Sequence, residues 1–358
     1  MVKQQSSGLG SLFDLVRPIA EYLYGYSLIA AIVIVNSLTL NLTLKPEDAT
    51  NSTILECPRG HGKTTLLYHI LRVSDAKYFP DLPKKPYESQ LLKRTDEDFR
   101  RKVWVFDDLI TVFRGTSAKQ REQLMGFFNE FLTTGMYSRE GRTVRGRIVC
   151  IFGIATEAVS KYARSMFAAT FSDRFIPVRY FYNDRAEREL LAAKRNARGV
   201  SLPVVPLPFL SSPVDIGVPR GFEPEIDERA LELNRLGVMT SARAQTYIQN
   251  FLKSCAQVNG RGTVTEDDVR LLRLVWPFHI TGGRGVDIGG VDMRVRMMVF
   301  EASMGGRRVT GREIKDAIVA VGLSESSAVK VLSALRKREI VQSQRVPRGR
   351  GYDYEYWL

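Results

Sequence analysis

Eight residues, Cys57-Pro58-Arg59-Gly60-His61-Gly62-Lys63-Thr64, constrain this chain more than any other stretch. They follow a short apolar strand pattern, Ser52 to Glu56, and open a helical pattern running to about Val73. A strand that turns through glycines into the start of a helix points backbone N–H groups and the positive helix end at one place. That arrangement solvates an anion rich in oxygen. Gly60 and Gly62 stand where the backbone must approach the anion most closely, with Pro58, Arg59 and His61 completing the turn. Lys63 supplies a point charge for the outer phosphates, and Thr64, with Thr65 beside it, offers a hydroxyl to a divalent cation. Cys57 takes the place of the first glycine of the GxxxxGK[ST] pattern. The segment reads as a phosphate-binding loop, with ATP and Mg2+ as the expected ligands.

About 45 residues further on, the apolar strand Val103 to Phe106 ends on Asp107-Asp108. A carboxylate at a strand end orients a metal and its water, here Asp107, and its neighbour Asp108 can polarise an attacking water. Thr64 and Asp107 are therefore the expected metal contacts, and Lys63, Asp107 and Asp108 the first catalytic candidates.

Around these motifs the chain alternates short apolar strands with helices. Residues 11–40 read as helical, Ala118 to Thr134 as a helix, and Ile148 to Ile154 and Phe175 to Tyr182 as further strands. The implied fold is α/β, a parallel sheet covered on both faces. Residues 137–147 read as a hairpin with Gly141 at its turn, carrying Arg139, Arg142, Arg145 and Arg147 against one acid, Glu140. The expected units are a core over 1–198, a Pro-rich linker or wrapping loop over 199–224, a helical module over 225–285, and a terminal module over 291–358. Glycines between 282 and 290 mark a hinge before the last of these. The terminal module reads as helices near 293–304, 310–321 and 324–338 followed by a hairpin, the order of a winged helix. Its basic residues Lys330, Arg336, Lys337, Arg345, Arg348 and Arg350 are candidate DNA contacts.

Composition narrows the partners. Lys and Arg exceed Asp and Glu by 52 to 39, giving a net charge of +13, which favours a polyanion, nucleic acid first. No base-reading set is apparent, so contact with phosphates is expected to dominate. The three cysteines share no CxxC spacing, which argues against a zinc site or disulfides and for a cytoplasmic setting. The N-terminus is polar and resembles no signal peptide. The apolar run Leu28 to Val35 falls well short of the roughly 20 residues of a membrane span. No membrane association is expected.

With these motifs in place the sequence resembles AAA+ ATPases. Thr156, past the third strand, falls at the family's polar sensor-1 position. Ser172-Asp173-Arg174-Phe175 resembles the segment whose arginine reaches a neighbour's γ-phosphate, which makes Arg174 the candidate arginine finger. Arg243, opening a helix of the 225–285 module, resembles the sensor-2 arginine of the family's helical lid. Within AAA+ the likeness is greatest to minichromosome maintenance (MCM) helicases. Ile19 to Leu28 resembles their segment before the loop, where a Tyr-Gly pair, here Tyr24 and Gly25, lines the adenine pocket. The arginine hairpin before sensor 1 and a C-terminal winged helix match as well. An N-terminal oligonucleotide-binding domain of the cellular MCM kind is not expected, a feature shared with branch-migration motors of the RuvB type, whose basic wing residues 345–350 resemble. The resemblance implies an ATP-dependent DNA helicase or translocase working as a homo-oligomeric ring, expected to be a hexamer. Two alternatives stay open: an origin-recognition-type initiator or loader that uses ATP as a DNA-binding switch, and an ATPase that remodels proteins.

Overall fold

The computed structural model describes residues 10–22, 25–45, 48–70, 77–82, 86–109, 116–159, 171–196, 206–281, 285–349 and 351–358. The chain begins with helices α1 (Gly10–Tyr22) and α2 (Ser27–Ser37) and then enters strand β1 (Ser52–Cys57). After the loop, Lys63 and Thr64 are α-helical, and Thr65–Ile70 is wound as a π-helix where a plain α-helix was expected. The short helix α3 (Glu88–Leu91) leads to β2 (Arg100–Phe106), α4 (Ala118–Thr134), the hairpin β3 (Met136–Arg139) and β4 (Arg142–Arg145), β5 (Arg147–Ala155), β6 (Phe175–Phe181) and α5 (Asp184–Asn196). A helical stretch follows: α6 (Glu223–Arg235), α7 (Ser241–Val258), α8 (Glu266–Val275) and α9 (Pro277–Ile280). Beyond it come β7 (Val286–Asp287), α10 (Val291–Met304), β8 (Val309–Thr310), α11 (Gly311–Ala320), α12 (Glu325–Lys337), β9 (Gln342–Arg348) and β10 (Gly351–Trp357).

Strands β2, β5, β1, β6 and β7 form one sheet in that order, with every pairing parallel. The α/β class is thus as read. β1 is buried along its whole length, as a strand covered on both faces must be. β7 was missed. The glycine-rich segment read as a hinge instead adds an edge strand, pairing Val286 with Tyr180.

Helix α2 accounts for the most apolar run in the sequence. All eleven of its residues are buried, and it packs on β1, β5, α7 and α10. Its one amide, Asn36, donates to Thr53 Oγ1 at 3.0 Å and to the Tyr247 hydroxyl at 3.3 Å, and accepts from Asn51 at 3.3 Å. Those bonds let a polar residue sit at the centre of the core without an unmet donor. Among the described residues no helix is long and apolar enough to cross a membrane.

Residues 206–224 wrap the core. Val214 N–H donates to Asn41 O and Thr43 N–H to Val214 O, both at 2.8 Å, while Phe209 stacks on Tyr78 at 4.2 Å. Helices α6 and α8 are tied by Arg273, which donates to Glu225, and by Trp276 Nε1 just past α8, which donates to Glu232 at 2.7 Å. Helix α10 belongs to two layers. It packs on α1, where Phe13 meets Phe300 edge to face at 5.3 Å, and on α12 of the terminal module. That module carries an antiparallel sheet ordered β8, β10, β9. A reciprocal cap starts α11: Glu313 N–H donates to Thr310 Oγ1 and Thr310 N–H to the Glu313 carboxylate.

Candidate nucleotide-binding site

Strand β1 ends on Cys57, and residues 58–62 turn over the carboxyl end of the sheet, the usual ligand side of an open α/β sheet. Three tyrosines build the floor of this turn. Tyr26 donates its phenol to His61 O at 2.5 Å, Tyr180 reaches the same oxygen at 3.4 Å, and Tyr182 N–H donates to His61 Nδ1 at 3.0 Å. With Nδ1 accepting, the neutral ring carries its proton on Nε2. Burial also holds the imidazole below its ordinary pKa. Gly62 is needed twice over: its φ is +81°, and a Cβ there would stand 1.6 Å from the Tyr26 oxygen. Gly60 shares the positive φ, at +82°.

Lys63 Nζ donates to Cys57 O at 3.1 Å and Pro58 O at 3.3 Å, so the ammonium folds back over the loop. The Cys57 thiol is fully buried, and burial pushes its pKa up. Arg59 and Thr64 are exposed, and Pro58, Lys63 and Thr65 half-buried. Gly25 is buried against Ile288 and Tyr182, next to Tyr26. Tyr24 lies outside the described residues.

The acidic pair closes β2 on the same edge of the sheet. Gly153 of β5 lets the two strand ends approach, since a Cβ there would stand 2.3 Å from Asp107 O. Asp107 and Asp108 are both half-buried. Strand β5 lies between β2 and β1, so Thr156, just past its end, sits between the loop and the acids. Its hydroxyl is buried with no hydrogen-bond partner among the described residues. A buried polar atom of that kind costs stability unless a ligand or water meets it.

The edge thus presents a glycine cradle, an ammonium, an exposed threonine hydroxyl, two carboxylates and an unpaired hydroxyl. That set suits a polyphosphate with a hard divalent cation.

Arg174 and Arg243 lie elsewhere. Phe175 pairs with Ser52 at the start of β1, so Arg174 stands at the amino edge of the sheet. Six residues of β1 separate that edge from the loop, about 20 Å at the usual strand rise. Arg174 Nε donates to Asn129 O at 3.2 Å, and the side chain is 13% exposed. Arg243 joins it there: its Nη1 donates to Asp173 Oδ2 at 2.7 Å, while Arg174 Nη1 is 3.8 Å from the same oxygen. Both arginines line a cleft with Asn51, Thr133 and Tyr247. Neither can reach the loop of its own chain.

The arginine hairpin forms as expected, with Glu140 and Gly141 both at positive φ in its two-residue turn. The four arginines read into it from sequence are not equivalent. Arg142 and Arg145 are exposed. Arg139 donates to both oxygens of the buried Glu88, at 2.6 and 2.7 Å, and Tyr137 donates to Glu88 as well, its pKa pushed up to about 12 chiefly by burial. Arg147 lies outside the hairpin; it opens β5, where the core strand begins earlier than expected, and donates to Lys45 O at 2.6 Å.

On the terminal module Lys330 and Lys337 are exposed, whereas Arg336 and Arg345 stack on tyrosines and Arg348 is 3.6 Å from Asp353. Arg350 lies outside the described residues. The three floor tyrosines, Glu88 and Asp173 were not singled out from sequence. Alternation in β6, which puts Tyr180 and Tyr182 on one face, was the available signal for two of them.

A comparison with protein-family models finds no match, and neither does a comparison with curated proteins.

Proposed function

We propose that this chain is an ATPase of the AAA+ type that acts on DNA as a helicase or translocase within an oligomeric ring. One observation carries the reading: the candidate groups are split between two edges of one sheet, about 20 Å apart. The loop, the acids and Thr156 hold one edge, and Arg174 and Arg243 the other. A site containing both sets needs two chains, the carboxyl edge of one facing the amino edge of the next. A closed ring of head-to-tail contacts supplies such pairs repeatedly.

In this reading residues 57–65 bind the triphosphate, with the loop N–H groups and Lys63 on its oxygens. Mg2+ supplies charge neutralisation at the phosphates, held by Thr64 and Asp107. Asp108 orients the attacking water, and Thr156 hydrogen-bonds at the γ-phosphate. Arg174 and Arg243 of the neighbouring chain neutralise charge that develops as the terminal phosphoryl group leaves. Helices α6 to α8 act as the lid, the terminal module as a winged helix, and Arg142 and Arg145 as pore contacts to phosphates.

The initiator alternative is favoured by one contact. Glu88 already neutralises Arg139, which leaves the hairpin less charge for a translocating strand. ATPase rate with and without single-stranded and duplex DNA, measured beside oligomer size, separates the two. Strong stimulation in a ring is expected. A monomer with negligible turnover would establish the switch instead.

A further inference from the structure

The hairpin β9–β10 carries its chemistry on separate faces. Alternation places Tyr352, Tyr354 and Tyr356 on one side of β10 and Asp353 and Glu355 on the other. Register puts Ser343, Arg345 and Pro347 beside the tyrosines. The tyrosine face therefore holds no acid from either strand, while the acids opposite are met by Arg348, 3.6 Å from Asp353, and Arg308, 3.5 Å from Glu355.

Guanidinium groups layer the tyrosine row. Arg345 lies over the Tyr352 ring at 3.5 Å, and Arg336, from the last turn of α12, lies over Tyr354 at 4.6 Å. Burial falls along the row: Tyr356 is 6% exposed, Tyr354 half-buried, and Tyr352 65% exposed. The outermost ring is thus held from one side by a cation and offers its other side to solvent. An arginine committed to a ring in this way is poorly placed as a simple phosphate contact, which is the role first expected of Arg345.

We propose that Tyr352 and Arg345 form a stacking platform for an unpaired base of single-stranded nucleic acid. The inference rests on the reading that nucleic acid is the partner, and it specifies the strand form this module takes. Duplex bases are already stacked on both sides and offer no face to a ring; an unpaired base does, whatever its identity. This face, with Arg345 and Arg336 on it and no acid from either strand, suits the phosphates on either side of that base.

The test uses the full chain and three fluorescein-labelled probes of equal length: oligothymidylate, an abasic oligomer with the same phosphates, and a duplex. Tyr352 is exposed, so its substitution leaves the core intact. Tyr352→Ala is expected to weaken oligothymidylate binding about tenfold, with the abasic and duplex probes changed less than twofold and Tyr352→Phe close to the parent. An equal loss on the abasic probe would reduce Tyr352 to a backbone contact and overturn the platform, as would no loss on any probe. If the unsubstituted chain binds none of the three, the nucleic-acid reading itself fails, and the platform with it.

Discussion

The two edges of the parallel sheet carry different kinds of group, hydroxyls, carboxylates and a lysine at one and a pair of arginines at the other. At the carboxyl edge Thr156 has a buried hydroxyl without a partner among the described residues, Thr64 is exposed, and the Lys63 ammonium is held by two carbonyl oxygens of its own loop. At the amino edge Arg243 donates to Asp173 and Arg174 Nε donates to Asn129 O, while the buried Arg174 Nη1, 3.8 Å from Asp173, has no hydrogen-bond partner among the described residues. The contrast says where charge would come from if this is a shared site: one chain brings the cradle, the next brings two arginines already held side by side.

Breaking either edge should have the largest effect. Lys63→Ala is expected to cut ATP hydrolysis about a thousandfold or more, measured as phosphate release, since the ammonium is the loop's point charge for the outer phosphates. Arg174→Ala should match it to within an order of magnitude while nucleotide affinity, read by equilibrium binding, stays near the parent. A Lys63→Ala protein of undiminished turnover would remove the loop from the account.

The sheet between the edges can be tested by pH. His279 in α9 reaches Pro177 O of β6 at 2.9 Å, and burial holds its pKa down at about 4 from an ordinary 6.5. Between those values the unfolded chain binds a proton that the folded chain refuses. Stability therefore stands in full above pH 6.5 and falls as pH drops toward 4, by roughly 3 kcal/mol from this residue. The urea midpoint should fall between pH 7.5 and pH 5 by a smaller margin in His279→Gln than in the parent. Equal margins would mean that His279 is not the linked group.

Smaller changes sharpen the contrast. Asp173→Asn leaves both arginines present but unclamps them, and about a tenfold loss of turnover is expected if their joint placement matters. Recovery in Asp173→Glu would show placement rather than folding at fault. Tyr26→Phe keeps the ring and removes the donor to His61 O. About a fivefold weaker nucleotide affinity with kcat near the parent is expected, one neutral hydrogen bond's worth.

Much of the fold was legible because its signals are local. The strand, glycine turn and Lys-Thr at 52–64, the acids after 103–106, and the turn at Glu140-Gly141 each depend on neighbours in sequence. β7 escaped notice because two residues give no periodicity to read, and its strand identity comes only from pairing with Tyr180 and Phe181. The π-helical winding of 65–70 has no distinct pattern either. The candidate groups could be named individually, but which edge each occupies depends on strand order, and that is a long-range property. Glu88 meeting Arg139 across 51 positions, and Arg243 meeting Asp173 across 70, lie beyond any local rule.

A site that draws on two chains can be tested directly by mixing. Lys63→Ala and Arg174→Ala proteins, each inactive alone, should be dissociated, combined in equal amounts and reassembled. An interface between an intact loop on one chain and an intact Arg174 on the next is then complete, and random assembly makes about a quarter of interfaces so. ATP hydrolysis returning toward that fraction of the parent rate is the predicted result; a mixture as inactive as its two components would contradict the shared site.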